Sequence, residues 1–218
     1  MIGTRFVADL DGHAAMVFED LLRAALNDKP PVSLAVSGGS TPWPALELLS
    51  EAELEWDRVD VFQVDERVVP VGDPERNLTH LTKSFTSRVP VHLHPMPVGA
   101  VSLDEGAFRY AWSLPESIDV VHLGLGTDGH TASLVPGDAV LDECDRDVAI
   151  TGPYAGHRRM TLTFPAINRS GAVVWLVSGE SKRDALHRLL SGDRDIPAGM
   201  ISTRNATLIA DLDLRDSE

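Results

Sequence analysis

A doubly wound α/β fold, one domain over residues 1–218 with a mostly parallel sheet and helices on both faces, is predicted by two features of the sequence. Short apolar, β-branched runs alternate with segments of helical period along the whole chain, the pattern of successive βαβ units. Three of these runs also end directly in turns rich in glycine or charge: Ser37-Gly38-Gly39-Ser40, Asp65-Glu66-Arg67 and Gly124-Leu125-Gly126-Thr127-Asp128-Gly129-His130. In an open parallel sheet such turns gather at the carboxyl ends of the strands, where ligands bind.

In chain order, residues 5–10 read as a first strand. A helix follows Gly12, with Ala14, Val17, Phe18, Leu21, Leu22, Ala25 and Leu26 on its apolar face, and Lys29-Pro30-Pro31 stops it. Residues 32–36 form a short apolar strand. Thr41 then caps a second helix that has Pro42 at its first position and Leu46 and Leu49 on its buried side. Residues 59–64 make the next strand and deliver Asp65, Glu66 and Arg67 at its end. A modest helix runs from Glu75 to Phe85, and residues 91–96 add an irregular strand. Ser102 and Glu105 make a capping box for the helix that carries Ala107, Phe108, Ala111 and Trp112, which Pro115 ends. Residues 118–123 form the strand before the Gly124–His130 turn, and residues 136–154 read as a long acidic surface excursion. An alternating strand follows the basic pair Arg158-Arg159. Residues 173–177 form a buried strand that enters a helix on Ala185, Leu186, Leu189 and Leu190, and residues 206–212 close the sheet.

Composition narrows the functional classes. The 218 residues carry a formal net charge of −14 spread along the chain, which repels nucleic acid and anionic membranes. An anionic small substrate then needs a local cluster of Arg and Lys. The lone Cys144 excludes an intrachain disulfide, and its neighbours Asp142, Glu143 and Asp145 disfavour a reactive thiolate. No leader pattern and no run of about 18 apolar residues is present, so a cytoplasmic protein is expected.

The Gly124–His130 turn displays one acid, Asp128, and one imidazole, His130. Consecutive backbone N–H groups at Gly38, Gly39 and Ser40, before a helix N-terminus, make an anion site. The loop lacks Gly-Lys-Ser/Thr, Gly-x-Gly-x-x-Gly and Gly-x-Ser-x-Gly, which argues against nucleotide binding and against a serine elbow. Lys182 falls near a helix N-terminus, where the helix dipole disfavours a cation unless an anion joins it. No metal is assigned: Asp128, His130 and His122 in one short stretch are too common a combination to define a site.

Taken together, Ser37–Pro42, Asp65–Pro70 with Asn77 following, Gly124–Gly137, Arg159–Thr163 through Asn168, and Gly179–Lys182 resemble the 6-phosphogluconolactonases, in family order over most of the chain. The resemblance implies hydrolysis of 6-phospho-D-glucono-1,5-lactone to 6-phospho-D-gluconate in the oxidative pentose phosphate pathway, without a cofactor. It implies a fold shared with glucosamine-6-phosphate isomerase/deaminases and with sugar-phosphate sensors. His130 matches the catalytic imidazole, Asp128 and Asp65 its acidic surroundings, and Arg67, Arg159 and Lys182 the cations near the phosphate, with Arg158 or Arg159 facing inward.

On this basis His130 takes a proton from water attacking C1 and returns it to the departing ring oxygen, while Asp128 or Asp65 orients the ring. Backbone N–H groups of the glycine turns are candidates for the oxyanion. The partner is a small sugar-phosphate lactone, with no nucleic acid or membrane, and the chain is expected to be a monomer or weak homo-oligomer. The alternatives are an amino-sugar-phosphate isomerase/deaminase and a non-catalytic sugar-phosphate-binding domain. The deaminases resemble Asp-Glu-Tyr where this chain has Asp65-Glu66-Arg67, and Asn-Glu-Pro beyond the histidine where it has Ser133-Leu134-Val135-Pro136. Sensors usually follow a helix-turn-helix segment, and a first strand by Arg5 leaves no room for one.

Overall fold

A computed structural model describes residues 2–212; the rest of the expected 1–218 domain lies outside the described residues. The elements are β1 (Gly3–Phe6), α1 (Leu10–Asp28), β2 (Val32–Val36), α2 (Pro42–Leu49), β3 (Val59–Gln63), β4 (Asp65–Arg67), α3 (Asn77–Leu81) and β5 (His92–His94). They continue as α4 (Leu103–Ser113), β6 (Val120–Gly124), β7 (Val148–Ile150), β8 (Arg159–Leu162), α5 (Phe164–Asn168), β9 (Ala172–Val177), α6 (Arg183–Leu190) and β10 (Ala206–Ala210).

The main sheet has seven strands in the order β1-β10-β9-β6-β2-β3-β5, and every pairing in it is parallel. From β2 the chain winds outward through β3 to β5, and from β6 it winds the other way through β9 to β10. The winding therefore reverses between β2 and β6, and their C-terminal loops diverge there to open a crevice.

Strand side chains alternate between two cores, as a two-residue period requires. Val32, Leu34 and Val36 of β2, Val120 of β6 and Val174 and Leu176 of β9 pack with Phe18, Leu22 and Leu46 beneath α1 and α2. Ala35, Val121, Leu123, Val173 and Trp175 face the other way, against Tyr110 of α4, Ile167 of α5 and Leu186 of α6. Helices on both faces explain why these strands read as continuous apolar runs. No helix among the described residues is long and apolar enough to cross a membrane.

Several expected boundaries shift for local reasons. The first strand ends at Phe6 rather than residue 10, because Asp9 accepts the Gly12 N–H at 3.0 Å and caps α1. Thr41 makes no side-chain cap, and Pro42 opens α2 without one. Ser102 accepts the Glu105 N–H at 3.2 Å, whereas the Glu105 carboxylate lies 3.9 Å from Arg109. The helix expected over 75–85 is α3 followed by a π-helical turn, Thr82–Thr86. The excursion over 136–154 contains a short helical turn, Ala139–Asp142, and β7, a strand too short to show a period.

The main departure concerns Asp65-Glu66-Arg67. These residues do not finish β3: after Val64 the chain enters β4 of a second, antiparallel sheet in the order β4-β8-β7. That sheet packs Met160 and Leu162 into the core it shares with the main sheet.

Candidate functional site

A cleft of about 370 Å³ opens at the crevice where the winding reverses. The loop after β2 supplies Ser37 to Pro42, β4 supplies Asp65 and Arg67, and the loop after β6 supplies Gly126 and His130. Strand β8 contributes Arg159, the loop between β7 and β8 contributes Tyr154, and the loop after β9 contributes Ser178 and Lys182. Every site residue expected from the sequence thus lines one cavity, except Asp128, which stands directly behind His130.

Asp128 Oδ1 lies 2.5 Å from His130 Nδ1 and also accepts the His130 backbone N–H at 3.1 Å. Burial pushes the Asp128 carboxyl up, but the bonds and charge of His130 outweigh it and hold the carboxyl below its ordinary range. An ionised carboxylate accepts from Nδ1–H, which leaves Nε2 of the neutral ring as the basic nitrogen. The turn brings these groups together because residue 126 has no side chain: a Cβ there would stand 2.1 Å from His130 Nδ1 and 2.6 Å from Asp128 Oδ1.

Asp65 does not orient His130. It is buried beneath the cleft, where Oδ2 accepts the Ser133 hydroxyl at 2.6 Å, and Oδ1 accepts the Ser37 hydroxyl at 3.2 Å and Asn77 Nδ2 at 3.4 Å. It therefore ties together the loops after β2 and β6 and the start of α3. The Gly38 N–H also faces Asp65 Oδ1, at 3.5 Å, whereas the Gly39 and Ser40 N–H groups bond nothing among the described residues. Gly126 N–H and Gly129 N–H bond within their own turn, to His130 O at 2.8 Å and Gly126 O at 3.1 Å, so neither is free for an oxyanion.

The cations are set by strand register. In the β4–β8 pair Arg67 stands directly opposite Arg159. Burial lowers the proton affinity of the Arg159 guanidinium, and the Arg67 charge adds to that, with Asp65 opposing. Arg67 donates to Asn77 Oδ1 at 2.6 Å and to the Glu75 carbonyl at 2.9 Å. Neither arginine, nor Lys182, forms an ion pair with a carboxylate among the described residues. In a chain of net charge −14, unneutralised cations converging on one cleft make a site for an anion. Arg158 is exposed, outside the cleft, with Nε 3.5 Å from the Thr151 carbonyl.

The sequence pointed less clearly to four supporting groups. Glu66, fully buried, accepts N–H groups from Arg67, Asn77 and Leu78, each at 2.8 Å, and lies 3.2 Å from Arg76 Nε. Asn77 links Arg67 to Asp65, accepting from the first on Oδ1 and donating from Nδ2 to the carbonyl of the second. His122 lies under the β2 loop, accepting the Ser37 N–H on Nδ1 at 3.3 Å, and burial pushes its pKa down to about 3. Tyr154 sits within the stretch expected to be surface excursion, where the turn-forming Ala155-Gly156 was the available signal. No group of three His, Cys, Asp or Glu side chains among the described residues could hold a metal.

The family model for glucosamine-6-phosphate isomerases/6-phosphogluconolactonase matches residues 7–210. A 6-phosphogluconolactonase from Synechocystis is 35% identical over 184 residues, 78% of this chain and 76% of that protein. One from Nostoc is 33% identical over 187 residues, 80% of this chain and 78% of that protein. The crystal structure of 6-phosphogluconolactonase from Thermotoga maritima superposes with a TM-score of 0.87 at 26% identity, covering 96% of this chain and 99% of that one.

Proposed function

The chain belongs to the glucosamine-6-phosphate isomerase/6-phosphogluconolactonase family and hydrolyses 6-phospho-D-glucono-1,5-lactone to 6-phospho-D-gluconate in the pentose phosphate pathway; for the route, we propose that His130 is the general base. The observation that carries this is the placement of a carboxylate-held imidazole and a pair of facing arginines on one cleft.

A δ-lactone is an activated ester, and its hydrolysis needs an activated water and a fixed substrate. The phosphate sits between Arg67 and Arg159, with Lys182 and the Gly39 and Ser40 N–H groups completing its cradle; Gly38 shapes the loop. This leaves the lactone ring toward His130. His130 Nε2 removes a proton from water as the water oxygen bonds to C1, and Asp128 stabilises the imidazolium that forms. When the bond from C1 to the ring oxygen breaks, the imidazolium returns its proton to that oxygen, giving the open acid and the neutral imidazole. A positioned general base of this type contributes about 10²–10⁴-fold.

The finer surroundings follow the same reading: the chain acts in the cytoplasm as a monomer or weak homo-oligomer, on a small sugar phosphate and not on nucleic acid or membrane. The net charge of −14 supports the last point. The test generates the lactone in place by oxidising glucose 6-phosphate and follows its loss with and without the chain. Loss well above the unaided rate is expected; a rate equal to buffer overturns the activity.

A further inference from the structure

Tyr154 sits where the hydrolytic and the anion-holding halves of the cleft meet, and the mechanism above does not use it. Its position is fixed by the tip of the β7–β8 hairpin. Tyr154 N donates to His157 O at 3.0 Å and His157 N to Tyr154 O at 3.2 Å, so only Ala155 and Gly156 lie in the turn. Both have positive φ, 48° and 85°, the left-handed conformation that a two-residue hairpin turn needs to match the strand twist. Strand β8 begins at Arg159, two residues after His157, so Tyr154 and Arg159 are carried by the same short hairpin.

From that tip the side chain reaches both halves. Its hydroxyl donates to Asp128 Oδ2 at 3.2 Å, on the carboxylate oxygen that His130 does not use. Its ring meets the His130 imidazole edge-on, with centroids 5.4 Å apart. The Arg159 guanidinium carbon lies 4.9 Å from the ring centre, over its face. Burial and then the Asp128 charge raise the phenol's proton affinity, so it stays a donor at neutral pH.

We propose that Tyr154 is a positioning residue for the lactonase reaction, its hydroxyl fixing the Asp128–His130 pair and its ring fixing Arg159, a role that rests on the reading of His130 as general base. With Oδ2 held by the phenol, the carboxylate presents Oδ1 to Nδ1 and aims Nε2 into the cleft. The ring face holds the guanidinium by a cation–π contact, without a carboxylate that would compete for the phosphate. One side chain thus sets the distance between the base and the phosphate anchor. No bond to Tyr154 is made or broken.

The two contacts separate by mutation. Tyr154→Phe removes the hydroxyl and keeps the ring, so kcat falls about tenfold while KM stays within about twofold. Tyr154→Leu removes both, and KM rises about fivefold in addition, an increment that disappears in an Arg159→Ala background. In an Asp128→Asn background Tyr154→Phe lowers kcat by less than about twofold, because the hydroxyl acts through the group already removed. A merely structural tyrosine would impose the same loss in every background. Wild-type kcat in Tyr154→Phe, or an equal loss with and without Asp128, overturns the proposal. His130→Ala, assayed beside them, separates the two readings. If it is inactive while Tyr154→Phe is unimpaired, only the tyrosine role fails; if it retains wild-type kcat, the base assignment fails and the tyrosine role falls with it.

Discussion

Arg67 and Arg159 face each other across the β4–β8 pair, like charges at directly opposed positions of an antiparallel ladder. Such a pair is unfavourable in isolation and becomes favourable when a dianion lies between the two. Replacing either with Met is therefore expected to raise KM by about 10- to 100-fold, the loss of charge-assisted bonds, with kcat changed by less than about threefold. Inorganic phosphate should raise the melting temperature of the wild type more than that of either variant, since a ligand stabilises the state that binds it. Unchanged KM in both variants would contradict the phosphate site.

Gly126 gives a test of the His130–Asp128 geometry that alters neither residue. An added Cβ would overlap Nδ1 of the imidazole, so Gly126→Ala must displace the ring or the carboxylate. The expected result is a fall in kcat of about 10²-fold, with KM close to wild type because the arginines stand on another element. Steady-state kinetics on Gly126→Ala decide it, and an unimpaired kcat would show that this geometry does not matter for turnover.

Buried His122 predicts a specific acid sensitivity. Its pKa is about 3 in the folded protein against an ordinary 6.5, so the unfolded chain takes up the proton first. The stability this group contributes is complete above about pH 6.5 and is lost as pH falls from there toward about 3. Between about pH 7 and 5.5 the wild type should lose about 1 kcal/mol that His122→Asn, whose side-chain oxygen still accepts the Ser37 N–H, does not lose. Urea denaturation at the two pH values measures this; parallel losses would contradict it.

How much of this was legible in the sequence depends on the range of the interaction. The parallel sheet showed through because its central strands bury both faces: residues 173–177 are apolar throughout and residues 32–36 are apolar except for Ser33, and glycine turns follow several strands. His130 and Asp128 are two residues apart, so their pairing is nearly local. The pairing of Arg67 with Arg159 depends on the register of two short strands far apart in sequence, and no periodicity encodes that. Asp65 was legible as a site residue but not in its part of tying loops together, because its partners Ser133 and Asn77 come from other segments of the chain. Tyr154 was hidden for the same reason, in a hairpin whose β7 strand is three residues long.

In the proposed mechanism one imidazole, held by Asp128, supplies the base while a separate set of cations holds the substrate. The most direct measurement compares kcat and KM of His130→Ala with wild type, using lactone generated in place and subtracting unaided hydrolysis. A loss of kcat of about 10²–10⁴-fold with KM within about threefold is predicted. A near-wild-type kcat, or a loss expressed mainly in KM, would contradict it.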